Sequence, residues 1–563
     1  MGEPGVTMIP PRSPAQVMTL ARMGSFHQCR LSFMRVLLRR LKRDSWRFEQ
    51  ARFDIDENGV GVAVYTAHGP DRSYSLIAFA HDLPDEMRSD RVIATAWDAT
   101  FTLFDGVPSQ EDIDRLADNV PRQEAGRISE SELSLSRANR SARMWSYVVE
   151  CLARGEQPDR ERIRSVGYVM RTTAVYGSGK FGAADRAVIE AREECQEPFQ
   201  IEMLNVYLIR AFVFDLVDHM ARAKAPETAV ALDPALRRMF GIGNSTGLGM
   251  APFLINHPVL LNNWIAAREE ALARIRSISD ASADEIATFR DRLDRADLNA
   301  RIWTSDHDIQ KRKLAELRQD LELLQAEVAR FDFARPNAWD RLWTWAETAL
   351  SLEGQEQLAA LVLEIRPDLV DPLACCMAAN EDSTMRIDGS MSVARLTEIV
   401  QDIYGWAIDI DWQKRAPQAR IWYVSQEKLE PRLGERFEED IDAYEQALCP
   451  GRDAARMYQD LAATSVSTVA AFLMAHPEHR HIARRAQIAA RFPYAEIRSN
   501  TIAADMLPID LLRAKLSFFG AVHFDPRSDR WVRINMFQNA PFPNELQSED
   551  ADDWTYPPLN GAD

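Results

Sequence analysis

Apolar and polar residues alternate near the start of the chain in the pattern of a small antiparallel sheet. The alternation runs through Arg52–Ile55, Gly61–Thr66 and Tyr74–Ala80, and Val92–Phe104 is rich in β-branched and aromatic residues. Asn58-Gly59 supplies a tight turn between the first two segments. Because side chains of a strand alternate between two faces, the pattern predicts an antiparallel meander of about four strands.

From about Gln110 to Asn380 the apolar residues recur at intervals of three and four, which is the period of an amphipathic helix. The strongest helices are expected at Ser129–Arg154, Pro198–Ala221 and Asn256–Ser277. The segment 200–220 is strongly apolar, but charged residues interrupt it. It therefore predicts a buried helix rather than a membrane span.

The helix predicted at 305–331 carries a heptad seam. Its apolar residues step by alternating threes and fours: Leu314, Leu317, Leu321, Leu324, Val328 and Phe331. The run is short for a coiled coil, so an antiparallel hairpin within the chain is the favoured interpretation. The sharper alternative is a homo-oligomer formed through this helix.

The last third of the chain alternates between helical and β patterns. A short strand is expected at Ala419–Ser425, helices at Arg436–Ala447 and Asp453–Ala475, and a β hairpin near the end. The sequence thus predicts a mainly α fold with a minor β component: a multi-helical body, a small N-terminal antiparallel β meander and a C-terminal β hairpin. The expected regions are a loose arm (1–30), a basic helix with the meander (31–106), a helical domain (107–335), a second helical region (336–543) and an acidic tail (544–563).

Composition narrows the classes of partner. The chain has 563 residues with 46% hydrophobic and 27% charged residues, which is ordinary globular composition, and its formal net charge is -18. An acidic surface opposes non-specific binding of nucleic acid and of anionic lipid, so neither is expected as a partner. The basic segment 31–48 is interpreted in the same way, as a helix packed on the adjacent sheet.

The six cysteines are scattered and form no CxxC motif, which favours a reducing compartment. The first residues lack the basic start and apolar run of a secretory signal. A cytoplasmic protein is therefore expected.

The first of two glycine-rich segments, Arg171–Arg186, reads RTTAVYGSGKFGAADR. Glycines let backbone N–H groups turn toward a ligand, and the lysine and arginines add positive charge, so the segment suits a phosphate or a carboxylate. It is not a P-loop, because Ala174 and Phe181 occupy positions that need glycine and Ser or Thr. Tyr176 and Lys180 also have the YxxxK spacing of short-chain dehydrogenases, but the intervening glycines would break the required helix.

The second segment, Gly241–Gly249, reads GIGNSTGLG and is expected to be a polar loop. Its glycines partly fit a dinucleotide-binding pattern, but the preceding residues look helical, whereas such a loop follows a strand. The segment leads toward a helix near Asn256, and helix N-termini attract anions. The two glycine-rich segments are therefore predicted to form two sides of one pocket, against the alternative that both are close-packed connections.

This hypothesis assigns roles to individual residues. Lys180, Tyr176 and His257 are the candidate catalytic groups, with the lysine neutralising charge and either of the other two moving a proton. The candidate substrate-binding residues are Arg171, Ser178, Gly179, Arg186, Asn244, Ser245, Thr246 and Arg210. For Arg210, which lies on an apolar helix, a structural ion pair is the favoured alternative.

No metal ligands are assigned. His476, His479 and His481 invite a metal interpretation, but two of them face different sides of a helix and HExxH is absent, so a solvated helix start is favoured.

The sequence predicts an enzyme that binds an anionic small molecule and performs acid–base chemistry of the lyase or isomerase type. A non-enzymatic helical scaffold is the first alternative, and an oxidoreductase with a cofactor but no standard motif is the second. The cofactor is unknown.

Overall fold

The computed structural model describes most of the chain, in two compact units. The described residues are 8–82, 96–122, 128–173, 189, 191–246, 258–305, 308–378, 386–412, 422–425, 431–433, 445–448, 450–498, 515–521, 523–526, 532–548, 550 and 552–556. The helical unit comprises Met1–Cys29, Gly247–Phe518 and Ser528–Arg530. The sheet unit comprises Arg30–Thr246, Phe519–Arg527 and Trp531–Asp563.

The strands are β1 Arg47–Ile55, β2 Gly61–His68, β3 Ser73–Ala80, β4 Ala99–Asp105, β5 Glu132–Arg140, β6 Tyr168–Thr173, β7 Gly241–Thr246, β8 Trp422–Ser425, β9 Pro431–Leu433, β10 Glu445–Leu448, β11 His523–Pro526 and β12 Val532–Met536. The α-helices are α1 Pro14–Val17, α2 Phe33–Arg43, α3 Gln110–Asn119, α4 Trp145–Ala153, α5 Arg160–Val166, α6 Gln200–Lys224, α7 Pro234–Arg238, α8 Pro258–Arg276, α9 Ala283–Ile302, α10 Asp308–Arg330, α11 Ala338–Ala349, α12 Leu352–Val362, α13 Pro367–Val370, α14 Val393–Ile408, α15 Pro450–Ala463, α16 Val469–Ala475 and α17 Arg480–Arg491. Short 3₁₀ turns lie at Leu20–Arg22, Glu193–Cys195, Asp371–Met377 and Pro477–His479, and Lys515–Phe519 forms a turn of π-helix.

The sheet unit contains one nine-stranded mixed sheet, so the prediction of a mainly α fold with a small meander and a separate hairpin is wrong. The strand order is β1-β2-β3-β4-β5-β6-β7-β12-β11. β1 to β4 follow the expected meander and β11 and β12 the expected hairpin, but β5, β6 and β7 join them into a single sheet. The pairing is antiparallel except between β6 and β7, which run parallel.

Strand β5 lies inside the predicted helix Ser129–Arg154. Its sequence, ELSLSRANR, alternates with the period of a strand. Two of the alternating positions are serines, and a serine marks a position neither as clearly buried nor as clearly exposed. Both faces are in fact covered, with Leu135 in an apolar cluster on one side and Ser136 fully buried on the other. A strand buried on two sides loses the contrast on which prediction from sequence depends.

The long helix α6 packs against one face of this sheet. The Phe212 ring contacts the rings of Phe101 on β4 and Tyr65 on β2, with centroids 5.6 and 6.3 Å apart. The side-chain amide of Asn205 donates a hydrogen bond to the Ser136 hydroxyl at 3.0 Å. The small serine lets the helix approach β5 closely, which explains why a polar residue occupies that buried position. Among the described residues, no helix is both long and apolar enough to cross a membrane.

Helix α3 covers the opposite face over β2 to β5. Ile113 and Leu116 of the helix pack with Ile77 and Leu135 of the sheet. The helix begins at a capping box, in which the Ser109 hydroxyl accepts a hydrogen bond from the backbone N–H three residues later. The sheet is therefore a middle layer with a helix on each side at this end.

The helical unit contains the heptad seam, which is buried within the chain. Helices α9 and α10 are antiparallel neighbours: Arg301 pairs with Glu322 at 3.2 Å, and Gln325 donates to Asp294 at 2.9 Å. The seam residues Leu314, Leu317, Leu321, Leu324 and Val328 are each at most 3% exposed. The favoured intramolecular hairpin is what forms. An oligomer through 305–331 stays a prediction, but the seam itself offers no open apolar surface for it.

Helices α14 to α17 enclose a second apolar cluster in the helical unit, which includes Ile403, Met457, Phe472 and Ile482. The predicted helix Asp453–Ala475 is broken there into α15 and α16. The end of another predicted helix, Arg436–Ala447, instead contributes to strand β10, which pairs with β8.

Candidate functional site

The strands that open the two glycine-rich segments, β6 and β7, end side by side at Thr173 and Thr246. Strand β6 is linked through α6 to β7, and the two strands pair in parallel with Arg171 opposite Gly243 and Thr172 opposite Asn244. Parallel strands end on the same side of a sheet, so Thr173 and Thr246, the last residues of β6 and β7, lie close to each other. This juxtaposition is a consequence of the β6–α6–β7 crossover and is not visible in the sequence.

Asn244, Ser245 and Thr246 belong to β7, so the expectation of a loop over Gly241–Gly249 is wrong for its first six residues. Glycines occur there because neighbours approach closely. A Cβ atom at Gly243 would lie 2.7 Å from the Tyr168 ring, and one at Gly241 would lie 2.5 Å from the Met536 carbonyl oxygen. The glycines that suggested a flexible loop are therefore packing residues of a strand.

Asn244 is buried, and its side-chain amide donates to the main-chain carbonyl of Thr172 at 3.4 Å. It lies on the face of the sheet opposite to that of Arg171, because adjacent strand residues alternate and Thr172 is its register partner. Asn244 thus ties β7 to β6, and the two predicted ligand-binding side chains do not share a face.

Two arginines lie on one face beside this edge. Arg171 of β6 is buried opposite Asn139 of β5, and Arg137, two residues from Asn139, is the register partner of Thr173, the last residue of β6. The Arg137 guanidinium stacks on Trp97, 4.2 Å from the ring centroid. Partial burial lowers the pKa of Arg137, but a guanidinium remains charged in proteins.

The sequence analysis did not select Arg137, because its segment was assigned to a helix. A second signal was also missed. Gly177, Gly179 and Gly182 stand at the spacing G-x-G-x-x-G, which in dinucleotide-binding sites follows a strand, and the structure places strand β6 just before them. The acidic residue that completes that fingerprint is not found at the end of β7, whose last residue is Thr246.

Arg210 does not face a ligand site. It is fully buried in α6 and donates to the carbonyls of Phe240 at 3.0 Å, Ala540 at 2.8 Å and Arg238 at 3.3 Å. The Phe542 ring covers its guanidinium at 3.9 Å. Burial lowers the pKa of Arg210 to about 9, which still leaves the group charged at neutral pH. Arg210 therefore links α6 to the chain before β7 and after β12, through carbonyls rather than the ion pair expected as its structural alternative.

The remaining predicted site residues, Tyr176, Ser178, Gly179, Lys180, Arg186 and His257, lie outside the described residues. The described backbone includes Ser245 and Thr246, whose positions in β7 are fixed by pairing with Arg533 and Val532.

A buried charge network in the helical unit was not predicted at all. Arg12 forms ion pairs with Glu269 at 2.7 Å and with Glu356 at 2.8 Å, and Arg22 also reaches Glu356 at 2.9 Å. Burial alone would raise the pKa of Glu356, but the charges of Arg12 and Arg268 lower it to about 2. Arg12 and Arg22 lie more than 200 positions before Glu269 and Glu356 in the chain, so no sequence spacing could have shown it. Each group already has ionic partners, which indicates a structural role.

The chain was also compared with known proteins. No protein-family model, no curated protein and no solved structure matches it.

Proposed function

We propose that the chain is an enzyme that binds an anionic small molecule, a carboxylate or a phosphate ester, where both glycine-rich segments start beside β6 and β7. The observation that supports the proposal is the parallel register of Thr172 with Asn244, which brings the carboxyl ends of β6 and β7 together. Ligands of open α/β sheets bind beyond the carboxyl ends of parallel strands.

The charges near this edge support an anion as the ligand. Arg137 and Arg171 share a face of the sheet next to the end of β6. Lys180 follows seven residues after Thr173 within the glycine-rich segment. Backbone N–H groups that glycines leave accessible, together with cations, are the usual means by which proteins hold phosphate and carboxylate groups. Ser178, Gly179 and Arg186 of the same segment would complete the binding set.

For the reaction we propose acid–base chemistry of the lyase or isomerase type. Lys180 would neutralise the charge that develops on the substrate, and Tyr176 would transfer the proton. Such a reaction needs a positioned acid or base and an anion-stabilising group, and this segment contains both types of side chain within five residues.

The binding proposal is tested by replacing Lys180 with methionine. We expect inorganic phosphate, pyrophosphate or succinate to raise the melting temperature of the wild-type protein and to have no such effect on Lys180→Met. Lys224→Met is the matched control, because Lys224 is an exposed lysine at the end of α6 that pairs with Glu150. Unaltered anion binding by Lys180→Met, or a large loss of its stability with normal binding, would contradict the assignment.

The chemical proposal has its own test. Carboxylates that stabilise the protein are incubated with it in D₂O, and proton NMR follows the exchange of the C–H next to the carboxylate. Tyr176→Phe should abolish exchange while keeping binding. Equal exchange rates for both proteins would remove Tyr176 as the proton-transferring group.

We propose the cytoplasm as the compartment. This is supported by the absence of a disulfide among the five described cysteines and by the acidic composition.

A further inference from the structure

Three side chains of metal-binding types lie at one helix corner in the helical unit. Helix α16 ends at Ala475, the 3₁₀ turn Pro477–His479 follows, and α17 begins at Arg480. This corner carries His476, Glu478 and His479 within four residues. The sequence analysis interprets these histidines as a solvated helix start, but His479 is buried at 5% exposure.

Helix α15 supplies a fourth group, Asp460, to the same point. The Nε2 atom of His479 lies 2.7 Å from Oδ2 of Asp460, and Nδ1 of His476 lies 4.0 Å from that oxygen. Oε1 of Glu478 lies 3.4 Å from Nδ1 of His476 and 3.9 Å from Nε2 of His479. The four ligand atoms all lie within 4.8 Å of one another.

These separations match a tetrahedral ion. Two ligand atoms that each lie about 2.0–2.2 Å from a tetrahedral zinc ion are roughly 3.3–3.6 Å apart. The observed pairs at 2.7, 3.4, 3.9 and 4.0 Å fall on both sides of that value. The remaining pairs of ligand atoms lie within 4.8 Å of each other as well.

Packing holds the imidazoles in place. The Phe472 ring stacks on His476 with centroids 4.9 Å apart, and on His479 with centroids 5.9 Å apart. Phe472 belongs to the apolar cluster between α14 and α17, so the two imidazoles rest on a rigid surface. Rotamers fixed by packing lower the entropy lost when a ligand binds.

Charge balance also favours a divalent cation. With neutral imidazoles the four groups carry two negative charges, and a divalent ion would neutralise them. Imidazole nitrogen with carboxylate oxygen is a ligand set typical of zinc and its transition-metal neighbours, whereas calcium and magnesium prefer oxygen alone.

The alternative to a metal site is an ordinary ion pair between a histidine and an aspartate. The chain offers such a pair next to the corner, where Nε2 of His481 lies 3.2 Å from Oδ2 of Asp453. There one imidazole meets one carboxylate, and His481 does not join the convergent group. The Asp460 corner differs because two imidazoles and two carboxylates converge.

We propose that Asp460, His476, Glu478 and His479 form a binding site for a divalent transition-metal ion of the zinc type. All four positions of a tetrahedral site would be filled by protein, which is the arrangement of structural zinc sites. The ion would fasten the α16–α17 corner to α15. The proposal is independent of the anion site on the sheet.

The test is a zinc titration of the full-length chain after dialysis against a chelator. The exposed neighbours Cys375 and Cys376 could bind zinc themselves, so all variants are made in a background with both cysteines replaced by serine. In that background we expect a single ion per chain, by competition with a chromogenic chelator. His476→Gln and Glu478→Gln should each weaken the affinity for zinc by roughly a hundredfold or more, at least the loss seen when a hydrogen-bond partner of a metal ligand is removed. His481→Gln is the matched control and should bind zinc normally.

Cobalt provides a second measurement on the protein without variants at the corner. A tetrahedral site with nitrogen and oxygen ligands should give Co²⁺ an intense visible absorption that added Zn²⁺ removes. Glu478 is exposed, so Glu478→Gln should fold normally, and circular dichroism checks this. The proposal is overturned if the background without Cys375 and Cys376 binds zinc no more tightly than a His476→Gln/Glu478→Gln double variant. Loss of binding in His481→Gln alone also overturns it.

Discussion

The side-chain amide of Asn244 donates a hydrogen bond to the main-chain carbonyl of Thr172 inside the parallel pair β6–β7. This contact fixes the alignment of two strands that are more than 60 residues apart in the chain. The alignment places the carboxyl ends of β6 and β7 next to each other, and the proposed anion site depends on it.

Arg210 should matter for stability and not for ligand binding. Arg210→Met removes the donors to two buried carbonyls and to a third that is partly buried. Each buried carbonyl left without a donor costs roughly 1–3 kcal/mol. Urea unfolding measures the loss. Arg237→Met is the control, because Arg237 is partly exposed in its pair with Asp215 and should contribute about 1 kcal/mol or less. If the Arg210→Met protein is stable but fails to bind anions, Arg210 belongs to the binding site.

The Glu356 network should make stability depend on pH. Removing one partner of a buried ion pair costs about 3–5 kcal/mol, so Glu356→Gln should lose that much at pH 7. The pKa of Glu356 falls from 4.5 to about 2 on folding. The contribution of Glu356 to the free energy of unfolding is therefore complete above pH 4.5 and is lost as the pH drops toward 2.

Urea unfolding of the wild-type and Glu356→Gln proteins at several pH values checks this. The difference between their free energies of unfolding should shrink below pH 4.5. Glu322→Gln is the matched control, because Glu322 is exposed in its pair with Arg301 and should change stability by about 1 kcal/mol or less. A difference that stays constant from pH 7 down to pH 3 would rule out the network as its cause.

Gly243 should tolerate no side chain, although it lies in a segment that resembles a flexible loop. The added methyl of Gly243→Ala would meet the Tyr168 ring at 2.7 Å, and such overpacking costs typically about 1–3 kcal/mol. Gly405→Ala should instead stabilise the protein. The nearest neighbour of the new methyl group is a flexible glutamine at 3.9 Å. Alanine is also favoured over glycine in a helix by up to about 1 kcal/mol. Thermal unfolding measures the change in stability of the two variants. An unchanged Gly243→Ala protein would mean that β7 is not packed against β6 as described.

The heptad seam should stabilise the monomer. Leu321 is 1% exposed, so Leu321→Ala should cost about 2–5 kcal/mol. Leu323 on the same helix is 51% exposed, and Leu323→Ala should stay within about 0.5 kcal/mol. Light scattering is run on both variants in parallel. A wild-type oligomer that Leu321→Ala dissociates, without unfolding the chain, would favour the scaffold alternative.

The sequence by itself determined the local elements with strong periodicity. The meander strands, α6, α8 and the seam helix α10 lie close to the predicted positions, because each buries one face or one stripe and shows it in the order of its residues. The sequence also indicated that the two glycine-rich segments differ from their surroundings, and it identified Arg171 and Asn244 as residues to examine.

Only the tertiary structure decided how these elements combine. β5 and β6 are buried on both faces and β7 is rich in glycine, so their sequences lack the contrast between an apolar and an exposed face. Their pairing joins the meander and the hairpin into one sheet. Arg137 came beside Arg171, and Asp460 beside His479, through register and helix packing rather than through spacing. Contacts between residues distant in the chain depend on packing free energy summed over whole elements, and no short stretch of sequence records it.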